Sequence, residues 1–274
     1  MKIGSTGAGV NLQQGVTTSV RISPASRAKL SILFNGEPLA RPVVSREVVA
    51  GHLGRSSEVL RVTVSHRSIL PMGCGYGTSG AGALSLSLAL NEALGSNLSH
   101  VEAAQIAHRA EVKHRTGLGT VTSAFYGGLV IRSRPGAPGF AQVKRIIPSS
   151  SMRVVSGVFG PMSTAGVLSN TGLKKRINLC AKGLVSLQVK GPETDTFIRL
   201  SRRFADCLGL FSPRLRRTIS RMQRRRIKSS MMMIGESLFT VVRKELVPEA
   251  TSAIKLSGLT PVVSKISERG AIVL

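Results

Sequence analysis

A glycine-rich segment that runs into an Ala/Leu-rich stretch, Pro71 to Gly95, most limits the folds open to this chain. Its five glycines stand among Thr78 and Ser79, ahead of a stretch that predicts a helix: Gly73, Gly75, Gly77, Gly80 and Gly82. Glycine lets a backbone approach a ligand closely and adopt positive φ. The unpaired N–H groups at the start of the following helix then form an anion site. The segment therefore predicts a phosphate-binding loop, and the alternative is a close helix contact without a ligand.

Three known phosphate loops can be compared with this segment. A Walker A loop is excluded because no Lys-Ser or Lys-Thr pair follows the glycines. Residues 75–80 match the dinucleotide pattern G-x-G-x-x-G, but that fold needs a strand with an acidic residue after the helix. Ser99 to Glu102 instead predict a capping box that opens a second helix. A protein-kinase loop is excluded because the chain has no V-A-I-K lysine.

Composition predicts a globular protein with an aliphatic core. The 274 residues are 42% hydrophobic and 4% aromatic, without tryptophan, which suits one large or two modest domains. No apolar run approaches the roughly 20 residues of a membrane span, and the first residues do not form a signal peptide. Cys74, Cys180 and Cys207 are odd in number and lack C-x-x-C spacing. We therefore expect a reduced, cytoplasmic protein with neither a disulfide framework nor structural zinc.

The formal net charge of +25 predicts affinity for polyanions. It indicates either nucleic-acid binding or a basic background on an enzyme with anionic substrates. Most of the charge density lies between Arg199 and Lys228. On a helix, one face would carry cations, and the opposite face Leu215, Ile219 and Met222. The cations of that face are Arg217, Arg221, Arg224, Arg225 and Lys228. This helix has no aromatic side chain on which bases could stack, so a solvated face or non-specific binding is the expected outcome.

Local patterns predict a strand-rich first half and a helix-rich second half. Residues 4–12 read as a glycine-rich turn, and Pro148 to Ser151 mark a domain boundary, giving domains 1–150 and 151–274. In the first half we expect strands at 15–22, 29–34 and 60–64, a hairpin turn at Asn35-Gly36, and a helix at 43–53. In the second half we expect helices at 169–182, 192–208 (with Pro192 at its first position) and 213–228, a helix or loop-helix at 229–242, and two short β elements in 250–274.

Taken in order, five segments resemble the archaeal pantoate kinases, a branch of the GHMP small-molecule kinase superfamily. They lie at residues 4–12, 75–94, 107–119, 127–139 and, more loosely, 229–239. GYGTSGAGA is similar to the superfamily loop P-x-x-x-G-L-G-S-S-A, while A-H-x-A-E-V, T-G-L-G and R followed by P-G are typical of the pantoate branch. The resemblance implies an α+β fold of two domains, one like domain 2 of ribosomal protein S5 and one ferredoxin-like. It also implies phosphorylation of pantoate by ATP to 4-phosphopantoate, with Mg²⁺, in coenzyme A biosynthesis. We also expect a homodimer.

The resemblance assigns roles to individual residues. The loop would bind the triphosphate of ATP through Gly73, Gly75, Tyr76, Gly77, Thr78, Ser79, Gly80 and Ala81. Ser79 and Glu111 would bind Mg²⁺, which prefers oxygen ligands. His108 shares a helix face with Glu111, and both would be catalytic residues. His108 would also, with Ser5, bind the substrate. Arg132 would form a bidentate pair with the pantoate carboxylate. Each of Glu111, His108 and Arg132 has a structural alternative, as a surface carboxylate, a core or surface histidine, or one more surface arginine.

Two departures from the family leave alternatives open. The family has the sequence T-G-L-G-D after this helix, and the resemblance implies that the aspartate is the catalytic carboxylate. At the same position this chain has Thr120. A threonine hydroxyl cannot act as a base near neutral pH. Either Glu111 and positioning then carry the reaction, with Thr120 in the catalytic position, or activity is reduced or lost. Only Met1 to Ile3 precede the first glycine segment, so a first strand of the family is expected to be missing. The alternatives to a pantoate kinase are a weakened nucleotide-binding relative, a kinase of another small hydroxy acid, or a basic nucleic-acid-binding protein.

Overall fold

A computed structural model describes residues 1–54, 58–162 and 169–274 and shows a mixed α+β architecture. The strands are β1 Gly7–Val10, β2 Thr17–Pro24, β3 Lys29–Phe34, β4 Glu37–Pro38, β5 Leu60–Arg67, β6 Leu129–Arg134, β7 Gln142–Ile146, β8 Met152–Pro161, β9 Ser230–Met231, β10 Gly235–Arg243 and β11 Val262–Lys265. The helices are α1 Val43–Leu53, α2 Thr78–Ala93, α3 His100–Lys113, α4 Thr120–Tyr126, α5 Thr171–Ala181, α6 Leu184–Lys190, α7 Thr194–Leu208, α8 Pro213–Arg224 and α9 Val247–Lys255, with a short 3₁₀ turn at Lys244–Leu246 before α9.

A four-stranded sheet in the order β2-β5-β3-β4 supports the glycine-rich loop. Strand β5 runs antiparallel to β2 and parallel to β3, and its alternate residues Leu60, Val62 and Val64 are buried. Helices α1, α2 and α3 cover this face and complete an aliphatic core. Because α2 is built of Ala, Leu and Ser, neighbouring helices approach it closely, and the buried Ser87 hydroxyl donates a hydrogen bond to the carbonyl of Ala103. The loop therefore leaves the end of a central strand and enters a central helix.

A second sheet has the strand order β1-β6-β7 and brings residues near the two ends of the chain together. Strand β1 pairs antiparallel with β6, so that Gly7 lies opposite Arg132. The C-terminal tail returns to this sheet, because the N–H of Gly128 donates to the carbonyl of Ser267 and the N–H of Ser267 donates to the carbonyl of Asn11. Residues 1–10 are thereby placed beside β6 and its arginine.

The third sheet has the order β11-β8-β10-β9, and all of its pairs are antiparallel. Its core joins Val155 and Leu238 of the sheet to Leu215 and Ile219 of α8 and Ile254 of α9. The long strand β8 begins immediately after residues 148–151. The division into domains 1–150 and 151–274 stays a prediction.

Several local predictions are confirmed. The helix Val43–Leu53 and the strand Lys29–Phe34 have the expected bounds, and the Asn35-Gly36 turn has positive φ at both residues. Ser99 and Glu102 form the expected capping box at the start of α3. In α8, Leu215, Ile219 and Met222 are buried, as the amphipathic pattern requires.

Other predictions are wrong, chiefly where glycine or methionine obscured a strand. Residues 4–12 are not only a turn, because 7–10 form β1. Residues 229–242 form β9 and β10 rather than a helix, because their side chains fill the sheet core. The tail holds one helix, α9, and one strand, β11, instead of two β elements. Helix α7 begins at Thr194 with Glu193 as its N-cap residue, so Pro192 precedes the helix instead of occupying its first position.

The prediction of three reduced cysteines is also wrong. Cys180 of α5 and Cys207 of α7 form a disulfide with their Cα atoms 5.7 Å apart, while Cys74 is free and buried. Spacing along the chain could not reveal this pair, because the disulfide depends on the distance between two helices.

Candidate active site

The glycine-rich loop connects β5 to α2 through three left-handed glycines. Gly73, Gly75 and Gly77 have φ of 73°, 87° and 72°, a conformation that side chains rarely adopt. Gly77 is the N-cap residue of α2, and having no side chain it cannot cap the first amides. The first intrahelical hydrogen bond runs from the N–H of Ala81 to the carbonyl of Gly77. The amides of the first turn, at Thr78, Ser79 and Gly80, therefore have the geometry of an anion site, and the binding of phosphate there stays a prediction.

The third sheet fixes the other side of the loop. The Ser237 hydroxyl donates to the carbonyl of Cys74 at 2.6 Å, and the Tyr76 hydroxyl hydrogen-bonds to that of Ser156 at 2.8 Å. The N–H of Met162 donates to the carbonyl of Gly73 at 2.8 Å. Residues of β8 and β10, together with Met162 just after β8, thus hold the loop in place.

Glu111 of α3 is buried beneath the first turn of α2. Its Oε1 accepts hydrogen bonds from the hydroxyls of Ser79 and Thr116, each at 2.6 Å. Burial raises the pKa of Glu111, and these two hydrogen bonds oppose that rise. The two predicted Mg²⁺ ligands, Ser79 and Glu111, are therefore in direct contact. Glu111 is 2% exposed, so the surface-carboxylate alternative is excluded.

Thr120, the first residue of α4, packs against the same turn. A methyl group placed on Gly80 would lie 2.7 Å from Cβ of Thr120 and 3.0 Å from Oε2 of Glu111. A methyl group on Gly77 would lie 2.5 Å from Cγ2 of Thr120. Bare glycine at both positions allows Thr120 and Glu111 to approach the amides that begin α2. Position 120 therefore lies beside the amides that begin α2.

Arg132 of β6 marks the other end of the site. It is 8% exposed, and burial lowers its pKa to about 10. Its Nε donates to the carbonyl of Ser5 at 3.2 Å, and its Nη1 donates to the hydroxyl of Ser123. Across residues 1–54, 58–162 and 169–274, no carboxylate pairs with it. A buried and unpaired guanidinium is a costly arrangement that an anionic ligand would relieve.

The loop at 116–119 connects the two ends. A methyl group added to Gly119 of this loop would lie 2.7 Å from both Nη2 of Arg132 and Oγ of Ser5. The N–H of Ser5 donates to the carbonyl of Leu118 at 2.9 Å. The structure thus brings Ser5 and Arg132 together and places them beside the loop that also carries Thr116 and Thr120.

His108 is buried on the same face of α3 as Glu111, but its contact is with the backbone. Its Nε2 lies 2.8 Å from the carbonyl of Ile3, and because a carbonyl can only accept, this nitrogen carries the hydrogen. Desolvation by burial lowers the pKa of His108. His108 therefore holds the segment that carries Ser5, and its direct contact with substrate stays a prediction.

Two site residues were missed from the sequence. Thr116 begins the T-G-L-G segment, yet a hydroxyl there gave no sign that it would reach back to Glu111. Ser123 contacts Arg132 from α4, three residues after Thr120. Had α4 been predicted as a helix, the spacing of three residues would have indicated that Ser123 shares a face with Thr120.

Comparison with known proteins identifies the family. Residues 44–128 match the family described as GHMP kinases N terminal domain. A pantoate kinase of Thermococcus kodakarensis is 34% identical over 249 residues, which cover 89% of this chain and 81% of that protein. A pantoate kinase of Methanocaldococcus jannaschii is 30% identical over 255 residues, which cover 93% of this chain and 90% of that protein.

Solved structures give the same result. A phosphotransferase related to the coenzyme A biosynthesis pathway has a TM-score of 0.87 at 31% identity, covering 98% of this chain and 89% of its own. Homoserine kinase from Cytophaga hutchinsonii has a TM-score of 0.72 at 15% identity, covering 92% of this chain and 86% of its own, and shares the fold alone. Together with the uncapped glycine loop and the buried Glu111 and Arg132, these relationships show that the chain belongs to the pantoate kinase family of the GHMP kinases.

Proposed function

We propose that this chain transfers the γ-phosphoryl group of ATP to the hydroxyl group of pantoate, forming 4-phosphopantoate. The observation that carries the proposal is Arg132, a buried cation without a carboxylate partner in the described part of the chain. Its planar fork matches a carboxylate bidentately, and pantoate supplies one. Ser5, within the same group of side chains, adds a hydroxyl for the rest of the substrate.

The triphosphate is assigned to the amides of Thr78, Ser79 and Gly80. Mg²⁺ fits beside them, because within the described ranges the Glu111 carboxylate accepts side-chain hydrogen bonds only from the hydroxyls of Ser79 and Thr116, and Ser79 offers a further oxygen. The described residues contain no cluster of three metal-binding side chains, which agrees with Mg²⁺ sites that use one or two carboxylates together with substrate phosphates. When bound, Mg²⁺ neutralises charge on the phosphates.

Phosphoryl transfer depends more on positioning the reactants than on a strong general base. The hydroxyl oxygen of the substrate attacks the γ-phosphorus, the bond from that phosphorus to the bridging oxygen breaks, and ADP leaves. Because the transition state is loose, charge stabilisation and alignment supply most of the acceleration. The hydroxyl proton leaves to solvent or to a phosphate oxygen, since Thr120 cannot accept it near neutral pH. This chain would therefore turn over slowly, with its amides, Glu111 and Arg132 providing the catalysis.

Measuring ADP release tests the proposal. The purified protein is supplied with ATP and Mg²⁺ and with pantoate, mevalonate, homoserine or shikimate in parallel. We expect ADP above background with pantoate alone. ADP formation with another acid would contradict the substrate assignment, and background rates with all four would contradict the proposal of an enzyme.

A pair of arginine variants tests the carboxylate site. Arg132→Lys should raise KM for pantoate by about tenfold to a hundredfold, because lysine keeps the charge and loses the bidentate geometry. KM for ATP should change little. Arg134→Lys is the matched control, since Arg134 lies on the same strand and is exposed. Equal effects of the two variants would show that Arg132 does not recognise the carboxylate.

Thr120 favours a second candidate, a nucleotide-binding relative with little or no turnover. In that case ATP binds in the presence of Mg²⁺ with ordinary affinity while ADP release stays at background, and calorimetry separates this outcome from failure to bind. A cytoplasmic location and a homodimer stay predictions, although none of the helices in the described ranges is long and apolar enough to cross a membrane.

A further inference from the structure

The densest concentration of positive charge lies far along the chain from the site residues, in residues 199–228. These thirty residues contain ten arginines and one lysine against one aspartate, Asp206. Their exposed cations on α7, on α8 and just after α8 are here called the basic surface: Arg199, Arg203, Arg214, Arg216, Arg217, Arg224, Arg226 and Lys228. The kinase chemistry uses none of them.

Few of these cations are neutralised by the protein itself. Arg202 pairs with Asp206, Arg214 pairs with Glu236, and Lys228 pairs with Asp195. The other eight arginines of the segment have no carboxylate partner in the part of the chain that the structure describes. Such a concentration of like charge opposes folding and favours any bound polyanion.

Contacts show that the cations of different helices form one continuous surface. The guanidinium groups of Arg202 from α7 and Arg216 from α8 lie 5.3 and 5.4 Å from the centre of the Phe211 ring. Arg176 of α5 donates to the carbonyl of Cys207 at 3.1 Å, which places a further arginine beside the end of α7. The surface thus extends across α7 and α8.

The side chains indicate which polyanion fits. The basic surface has seven arginines and one lysine, and the guanidinium fork binds phosphate bidentately. Attachment to a membrane surface would also need exposed apolar side chains, yet the exposed residues of α8 are arginines, a glutamine and Pro213. Phe211 is buried under its two arginines, Phe197 of α7 is buried as well, and Phe204 of α7 is only partly exposed, so these described helices offer no fully exposed ring for stacking single-stranded bases.

We propose that the basic surface binds the sugar–phosphate backbone of double-stranded nucleic acid without reading its sequence. Charge neutralisation by lysine and arginine releases the counterions condensed on the duplex, and this release drives binding. The ligand chemistry is the phosphate backbone, which duplex RNA and duplex DNA share.

Fluorescence anisotropy with duplexes of about 24 base pairs tests this proposal, because the salt dependence of binding measures how many phosphates the protein neutralises. Duplex RNA and duplex DNA of random sequence are titrated with the full chain over a range of KCl concentrations. The variant carries Arg199→Gln, Arg203→Gln, Arg217→Gln and Arg224→Gln, four exposed residues without hydrogen bonds or ion pairs in the described ranges. Its affinity should fall by about 100-fold, and the slope of log K against log salt should become shallower by about 3 units. If this variant does not fold, Arg217→Gln with Arg224→Gln should give about half the change in slope.

A control variant removes the same charge elsewhere. Arg21→Gln, Lys29→Gln, Arg61→Gln and Arg67→Gln change exposed residues of strands β2, β3 and β5. The control should keep its affinity within about threefold, because only long-range attraction is reduced. Equal weakening in both variants would show that net charge, and no particular surface, causes binding.

Three further results would overturn the proposal: binding to neither duplex near 0.1 M salt, equal binding to vesicles of anionic phospholipid, or a strong preference for one base sequence. Comparing the affinity for duplex RNA with the affinity for duplex DNA shows which of the two nucleic acids supplies the phosphate backbone. ADP release by the variant separates this proposal from the kinase, since loss of duplex binding with unchanged turnover concerns the basic surface alone. A rise in KM for ATP with unchanged duplex binding would show that the surface attracts the nucleotide substrate instead.

Discussion

Replacing Thr120 by aspartate should accelerate this enzyme while destabilising it in the absence of ligand. Thr120 begins α4 and packs against Gly77 and Gly80, at the amides assigned to the triphosphate. Aspartate has nearly the same size as threonine and is favoured in the first turn of a helix. A carboxylate there could accept the hydroxyl proton of the substrate, which threonine cannot.

Two opposing magnitudes follow from the structure. A positioned general base contributes about 10²- to 10⁴-fold in rate, or about 3 to 5 kcal/mol of activation free energy. Against this, Thr120 Cβ and Glu111 Oε2 both lie within 3.0 Å of the same added methyl on Gly80, so a second carboxylate would face Glu111 directly. At a separation of about 6 Å and an effective dielectric constant of about 20, the repulsion amounts to about 3 kcal/mol. Magnesium nucleotide should relieve it.

Turnover and stability must therefore be measured on the same variant. We expect Thr120→Asp to raise kcat for ADP release at least about 100-fold, to lower the melting temperature without ligand, and to gain more stability than wild type from Mg²⁺ and ATP. Thr120→Asn is the control, because it has the size of aspartate without its charge, and it should do none of these. The reasoning is refuted if Thr120→Asp leaves kcat unchanged, or if the asparagine variant accelerates the reaction equally.

Three further outcomes are expected. Gly80→Ala should weaken ATP binding and lower the free energy of unfolding by about 1 to 3 kcal/mol, because its methyl would crowd Thr120 and Glu111; calorimetry and denaturant unfolding measure both. Glu111→Gln should abolish turnover yet raise the free energy of unfolding at neutral pH without ligand. Because burial raises the pKa of Glu111, the stability present below its ordinary pKa of 4.5 is lost as the pH rises through the folded-state pKa. Melting curves of the variant from pH 4 to 8 should lack this pH dependence. Cys180→Ser should lower the free energy of unfolding by about 3 kcal/mol, because the unfolded chain is no longer cross-linked to Cys207 across 27 residues. A thiol reductant should lower the free energy of unfolding of the wild type to that of the variant.

The sequence was most informative where a residue's role depends on local backbone geometry or on spacing within one helix. Gly77 could be assigned to the phosphate loop because glycine before a helix leaves amides uncapped, and the spacing from His108 to Glu111 fixed their common face. Recognition of the family supplied Ser5 and Arg132, which no periodicity would have selected. The structure adds that both belong to one group of contacts.

Long-range contacts were beyond the sequence. Residues 229–242 have the composition of a helix, yet they pair with β8 because their side chains complete a sheet core. Cys180 and Cys207 meet only because α5 packs on α7. Thr116 reaches Glu111 because the chain turns back after α3. In each case the decisive partner lies in another element, and local propensity yields to tertiary packing.

The T-G-L-G loop explains how one site can keep two buried charges of opposite sign. Glu111 and Arg132 are both almost fully buried, and neither pairs with the other. The backbone of residues 117–119 lies against both of them: a methyl on Gly117 would collide with Oε2 of Glu111, and a methyl on Gly119 would be 2.7 Å from Nη2 of Arg132. Only glycine allows the chain to pass so close to each. A direct ion pair between the two would satisfy both groups and leave neither for a ligand. Separation by this loop keeps the carboxylate available for the proposed metal nucleotide and the guanidinium available for the proposed substrate carboxylate. Gly117 and Gly119 are therefore required both for the turn of the chain and for keeping Glu111 and Arg132 apart and available to ligands.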